Sequence, residues 1–315
     1  MKLVMLDAGT LGDDLSFDAL REFGDLTVYT STTPDEVIPR LADCEVAILN
    51  KIKLTAAIFD AVPHLRLVCL TATGFDNVDL DAARAHGVAV CNVPGYSTPS
   101  VVQVTLATVL SLATHLPAYD AHVRSGAYAK GGVANCLVPV YHELAGKTWG
   151  IVGYGSIGRG VGEVARALGC RLLVCRRTQD GSPESVDIDT LCRTSDIITL
   201  HTPLNDSTRG LISRERIASM KKGVILVNVA RGAVTDERAV ADAVLSGQIG
   251  GFGCDVFSAE PFPEAHPFSA LLGCPNVCLT PHMAWGSYEA RVRCLETIAG
   301  NIRAFADGNR HNRVD

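Results

Sequence analysis

An α/β architecture of two doubly wound parallel-sheet domains is what this sequence predicts, on three observations. Short apolar runs alternate with segments of helical period in both halves of the chain. The apolar runs lack strict polar alternation, which suits strands covered on both faces. In the second half, a glycine-rich turn leads from one such run straight into a helix.

In the first half the strand candidates are residues 2–7, 26–29, 45–49, 66–70 and 88–91, with helices at 15–23, 35–41, 55–61 and 79–86. A Pro/Gly/Ser-rich break follows at 93–100 and marks a domain boundary. Residues 101–119 then carry no Asp, Glu, Lys or Arg. The stretch is about as long as a membrane span. Gln103, His115 and Pro117 dilute it, so a helix buried between domains is expected. Residues 118–145 show weak periodicity and read as a loop or an arm. Alternation resumes with strands at 148–152, 171–175, 196–200, 223–228, 250–256 and 277–279. The helices between them fall at 157–168, 188–193, 214–220 and 236–246, the last with Thr235 as expected N-cap. A final helix at 287–306 returns to the first domain. The expected division is therefore 1–99 with 286–315 (flavodoxin-like) and 100–285 (Rossmann dinucleotide-binding).

Composition narrows the function. With 47% apolar and 20% charged residues the chain is globular. A net charge of −6 supplies no basic footprint, so neither nucleic acid nor an anionic membrane surface is expected as partner. The apolar N-terminus reads as a first strand, not a signal peptide. The 11 cysteines are scattered and odd in number, with no zinc spacing. They read as small buried hydrophobes in a reducing cytosol, so a cytoplasmic location is expected.

The glycine turn is Gly153-Tyr154-Gly155-Ser156-Ile157-Gly158. Gly153 permits the tight turn, Gly155 lets the backbone approach a pyrophosphate, and Gly158 lets helix and strand pack closely. N–H groups of the helix start then bind phosphate charge, which predicts a dinucleotide cofactor. The next strand ends at Arg176-Arg177-Thr178, where NAD sites place an acid on the ribose. A guanidinium pairs with a 2′-phosphate, so NADP is favoured over NAD. The alternative is that Asp180 contacts the ribose.

Reducing a 2-keto acid with such a cofactor needs a cation for the carboxylate and an acid for the carbonyl oxygen. Arg231 lies just past a buried strand, where a planar guanidinium can hold both oxygens. His282 lies past the last strand and can give and take a proton near neutral pH. Glu260 lies in a turn closed by Pro261, and a carboxylate beside an imidazole orients it and favours its charged form. His201 ends a strand and is expected to line the cofactor crevice.

The chain resembles the D-2-hydroxyacid dehydrogenase family, especially its glycerate dehydrogenase/hydroxypyruvate reductase branch. The resemblance rests on Thr73-Gly74-Phe75-Asp76-Asn77-Val78-Asp79, the glycine turn, His201-Thr202-Pro203-Leu204 and Asn228-Val229-Ala230-Arg231-Gly232. It continues through Asp255-Val256-Phe257 with Glu260-Pro261, and Thr280-Pro281-His282 with Ala284-Trp285. It implies that Arg231 binds the substrate carboxylate, that His282 is the acid/base and that Glu260 orients it. It also implies that Thr73 and Gly74 help hold the carboxylate and that Lys51 and Trp285 line the substrate pocket. Asp255 would contact the nicotinamide carboxamide, with Thr202, Pro203, Thr208, Val229, Ala230 and Ala284 around the cofactor. Hydroxypyruvate or glyoxylate is the implied substrate, and a homodimer joined through the cofactor domain, with 118–145 reaching across, the implied assembly. D-lactate, 3-phosphoglycerate and phosphite dehydrogenases use the same Arg–Glu–His set, and some co-repressors share the fold. Two departures stand out: Arg176 at the ribose position, and Tyr128 where the family commonly has Trp.

Overall fold

The computed structural model describes residues 1–178 and 181–315, so Asp180 lies outside the described residues. The chain forms two compact units, Met1–Ser97 with Gly286–Asp315, and Thr98–Trp285.

In the first unit, β1 (Lys2–Met5), β2 (Asp25–Val28), β3 (Val46–Leu49), β4 (Leu67–Leu70) and β5 (Ala89–Cys91) form a sheet in the order β2-β1-β3-β4-β5. Every pair in it is parallel. β3 and β4 are buried along their whole length, which is why they read as unbroken apolar runs. Leu41, Leu49, Phe59, Leu70 and Val90 form part of the core on one face. The helix expected at 15–23 is a single turn, Asp18–Arg21. The one at 35–41 opens with a 3-10 turn, because Pro34 and the Thr33/Glu36 capping box tighten its start. The helix Tyr288–Ala306, capped by the Ser287 side chain, packs on β4.

The second unit holds β6 (Thr148–Val152), β7 (Arg171–Cys175), β8 (Ile197–Leu200), β9 (Val224–Asn228), β10 (Ile249–Cys254) and β11 (Val277–Leu279). They are ordered β11-β10-β9-β8-β6-β7, again all parallel. Winding proceeds from β6 to β7 on one side and to β8 on the other, so a switch point opens between the carboxyl ends of β6 and β8. Trp149 anchors this region: it is fully buried and its ring N–H donates to the Thr199 hydroxyl at 3.1 Å.

The apolar stretch after residue 100 forms the helix Thr98–Thr114, which packs on β9 and β10. It comes unusually close. A Cβ added at Gly253 would lie 2.3 Å from Thr108 Cγ2, and one at Gly251 would lie 3.3 Å from Leu112 Cβ. The expected single helix to residue 119 breaks at His115, which takes a left-handed conformation (φ 53°), and resumes as Leu116–Arg124 at 64° to the first. Pro117 in the first turn of the second segment cannot donate the bond a continuous helix needs. Among the described residues no single helix is long and apolar enough to cross a membrane. Beyond the short helix Ala127–Lys130, residues 131–145 have no regular structure, and Val133, Leu137, Val138, Val140 and Tyr141 are exposed.

The helix expected at 236–246 runs Glu237–Leu245, and Asp236, not Thr235, caps it by accepting the Ala239 N–H at 2.9 Å. Thr235 spends its hydroxyl on Gly232 O instead, closing the 3-10 turn that precedes the helix. The eleven cysteines are free thiols and seven are buried.

Candidate active site

The glycine turn leaves β6 at the switch point. Gly153 sits at φ 90°, and a Cβ there would lie 2.7 Å from His201 C and Thr202 N, so backbone passes directly over backbone. At Gly158 a Cβ would lie 2.2 Å from Gly153 O, which explains the third glycine as a packing requirement. Nothing lies within 4 Å of a Cβ built on Gly155. Open space therefore stands over the backbone where the helix Ser156–Ala167 begins, and the first-turn N–H groups of Ser156, Ile157 and Gly158 have no partner inside that helix. This cradle fits a dinucleotide diphosphate.

At the end of β7, the Arg176 guanidinium lies over the Tyr154 ring, 5.2 Å from its centroid, which keeps its charge beside the glycine turn. Arg177 and Thr178 are exposed. After β8, both ring nitrogens of His201 are shielded from solvent without a hydrogen-bond partner, and burial pushes the ring's pKa down to about 3. Thr202 is half-buried and Pro203 exposed. The Thr208 hydroxyl donates to Pro203 O at 2.6 Å and accepts the Asn205 N–H at 2.8 Å, closing the loop after β8 on itself.

After β9, buried Asn228 organises the turn that carries Arg231. Its amide donates to Arg231 O at 3.0 Å and accepts the Ala230 N–H at 3.0 Å. Half-buried Arg231 points one Nη1 hydrogen at Ala230 O, 2.8 Å away. Val229 is half-buried and Ala230 buried. Sequence reasoning assigned Asn228 no role; its place at the end of a buried strand, before a Val-Ala-Arg-Gly turn, was the available signal.

After β10, the Asp255 carboxylate is buried. It accepts the Thr280 hydroxyl at 2.6 Å and the N–H groups of Met283 at 2.9 Å and Ala284 at 3.0 Å. Burial raises its pKa, against those three bonds, which favour the charged form. The Ser100 hydroxyl holds the other side of the same loop through Ala284 O at 2.6 Å. Between these braces the backbone turns at His282 into the left-handed region (φ 53°), and the ring Nδ1 comes 2.6 Å from Glu260 Oε2. A carboxylate only accepts, so Nδ1 carries the shared hydrogen and proton transfer falls to Nε2. The second Glu260 oxygen accepts the Phe257 N–H at 3.1 Å. Trp285, half-buried, closes this unit.

The remaining site residues belong to the first unit. Lys51 is exposed just past β3, and its N–H donates to Asp7 at 2.7 Å. Thr73 donates its hydroxyl to Val93 O at 2.8 Å, and its own carbonyl accepts the Asn92 side chain at 2.7 Å, with Gly74 half-buried beside it.

The family described as "D-isomer specific 2-hydroxyacid dehydrogenase, NAD binding domain" matches residues 106–284. A hydroxypyruvate reductase of Blautia hydrogenotrophica is 35% identical, covering 100% of both chains. A glycerate dehydrogenase of Methylorubrum extorquens is 36% identical, covering 100% of this chain and 99% of its own. Among solved structures, D-lactate dehydrogenase from Aquifex aeolicus, complexed with NAD and lactic acid, superposes with a TM-score of 0.85. It is 28% identical, over 98% of this chain and 96% of that one.

The isolation of His201 has a measurable consequence. The unfolded chain takes up its proton near pH 6.5, about the ordinary value, while the folded ring stays neutral until about pH 3. Stability therefore falls as pH drops through that window. Ring proton shifts followed by NMR should show no His201 titration between roughly pH 8 and 5; an ordinary midpoint would overturn the assignment of a dry ring.

Proposed function

The chain belongs to the D-isomer specific 2-hydroxyacid dehydrogenase family, and on that premise we propose that it reduces hydroxypyruvate or glyoxylate with NADPH or NADH, giving D-glycerate or glycolate. The observation that carries this reading is the 2.6 Å contact between His282 Nδ1 and Glu260 Oε2.

In this reading Arg231 holds the substrate carboxylate and keto oxygen, and substrate contacts by Thr73, Gly74, Lys51 and Trp285 are what the family resemblance implies. When bound, the reduced nicotinamide supplies a hydride to C2 of the keto acid. His282 gives its Nε2 proton to the carbonyl oxygen and ends the step neutral, while Glu260 keeps its negative charge and the ring's orientation. Gly153, Gly155, Ser156, Ile157 and Gly158 hold the diphosphate. His201, Thr202, Pro203, Thr208, Val229, Ala230, Asp255 and Ala284 surround the rest of the cofactor. The position of Arg176 against Tyr154 supports preference for a 2′-phosphate, with Arg177 and Thr178 beside it. The exposed apolar residues of 131–145 support a homodimer joined there, and the free thiols support a reducing compartment such as the cytosol.

His282→Ala should lower kcat by about 10²- to 10⁴-fold and leave the coenzyme dissociation constant unchanged. Turnover at the parent rate would remove His282 from the mechanism. Arg231→Gln should act chiefly on the keto-acid KM and on kcat/KM. Arg176→Asp should lower kcat/KM with NADPH about tenfold to a hundredfold relative to NADH; a parent enzyme that already prefers NADH rejects the NADP assignment. In sedimentation, the parent chain should run as a dimer and the Leu137→Asp/Val140→Asp variant as a monomer. A monomeric parent would end the dimer proposal.

A further inference from the structure

A buried His–carboxylate pair lies within the same unit, outside the groups that meet substrate. Glu237, in the first turn of the helix Glu237–Leu245, has a side chain 9% exposed, and its partner His266 one 4% exposed. His266 Nδ1 accepts the Phe268 N–H at 3.2 Å, so its proton is on Nε2, which donates to Glu237 Oε2 at 2.9 Å. Phe262 and Phe268 enclose the imidazole, with centroids 4.9 and 5.0 Å away. The ring therefore has one orientation and one tautomer.

The carboxylate spends its remaining capacity on Ser258. Glu237 Oε1 accepts the Ser258 N–H at 2.8 Å, and Oε2 also accepts the Ser258 hydroxyl. The amides of 257 and 258 thus go to two different carboxylates, Phe257 to Glu260 and Ser258 to Glu237. The same two residues are pressed from the other side by the Arg231 turn. A Cβ on Gly232 would lie 2.1 Å from Phe257 C and 2.2 Å from Ser258 N. The segment leading to Glu260 is fixed between the backbone next to Arg231 and a charge-assisted clamp from the Glu237 carboxylate.

We propose that Glu237, locked by His266, is a positioning residue that sets the Phe257–Ser258 backbone and so holds the Glu260 carboxylate against His282. The inference rests on the His282–Glu260 reading above and deepens it. Glu237 touches neither member of that pair; it acts through the chain segment before Glu260. A neutral amide at 237 keeps one acceptor oxygen, so it sets a donor against either the His266 Nε2–H or the Ser258 N–H. Nor can the ring move its proton to Nδ1 without setting Nδ1–H against the Phe268 N–H.

The test is a cycle between Glu237→Gln and Glu260→Gln. Glu237→Gln alone should lower kcat about 10- to 50-fold, the effect expected of a catalytic group misplaced by a fraction of an ångström, with the keto-acid KM and coenzyme dissociation constant within about twofold. In the Glu260→Gln background the same change should alter the residual kcat less than about twofold, because the route it acts through is already broken. Ser258→Ala removes one hydroxyl contact from an exposed residue and should show the same split at smaller size, so it decides the matter if Glu237→Gln does not fold. Equal losses in both backgrounds, KM and coenzyme binding that worsen along with kcat, or an unchanged kcat overturn the proposal. His282→Ala runs beside these variants. If it keeps turnover, the catalytic reading itself fails; if it is inactive while Glu237→Gln matches the parent, only the role of Glu237 falls.

Discussion

Parallel pairing throughout the second sheet governs everything built on it. Because every strand runs the same way, every loop that follows a strand leaves at one edge. Residues as distant in sequence as Gly153, His201, Arg231, Asp255 and His282 are delivered to that edge by the hydrogen-bond ladder alone. The apolar strands spend their side chains on burial, and chemistry is left to the first few residues beyond each end. Reversal of winding between β6 and β8 then opens a place along the edge where a diphosphate can reach a helix start.

Delivery to an edge is coarse, and the second layer of order is polar. Asn228 and Asp255 are buried groups at the ends of β9 and β10 whose hydrogen bonds all go to the loops carrying Arg231 and His282. His282 occupies a left-handed conformation that a β-carbon disfavours, and Asp255 ties the chain on both sides of it, through Thr280 before and Met283 and Ala284 after. A loop so tied has little conformational freedom left to lose on binding a ligand.

Much of this was legible in the chain. Buried parallel strands announce themselves as unbroken apolar runs, and the glycine turn has a spacing that few other structures require, so both sheets and the cofactor cradle could be read directly. What escaped reading depended on contacts between segments far apart in sequence. Thr235 looks as good a cap as Asp236 until Gly232 O is found to claim its hydroxyl. Nothing local marks His115 as the residue where a long apolar helix bends, because Pro117 tolerates the first turn of a new helix as well as it disrupts an old one. Asp255 reads as a ligand contact by motif, while its three hydrogen bonds within the protein appear only once β10 and the 280–284 loop lie side by side.

The close seating of the helix Thr98–Thr114 on β10 carries a consequence of its own. At Gly253 and Gly251 the strand has given up side chains altogether so that Thr108 and Leu112 can descend onto its backbone. Single-methyl additions there would wedge helix from sheet, with no chemistry altered nearby. A survey of tolerated variation in this protein would thus find a chemically silent strand among its most constrained segments, restricted by clearance alone.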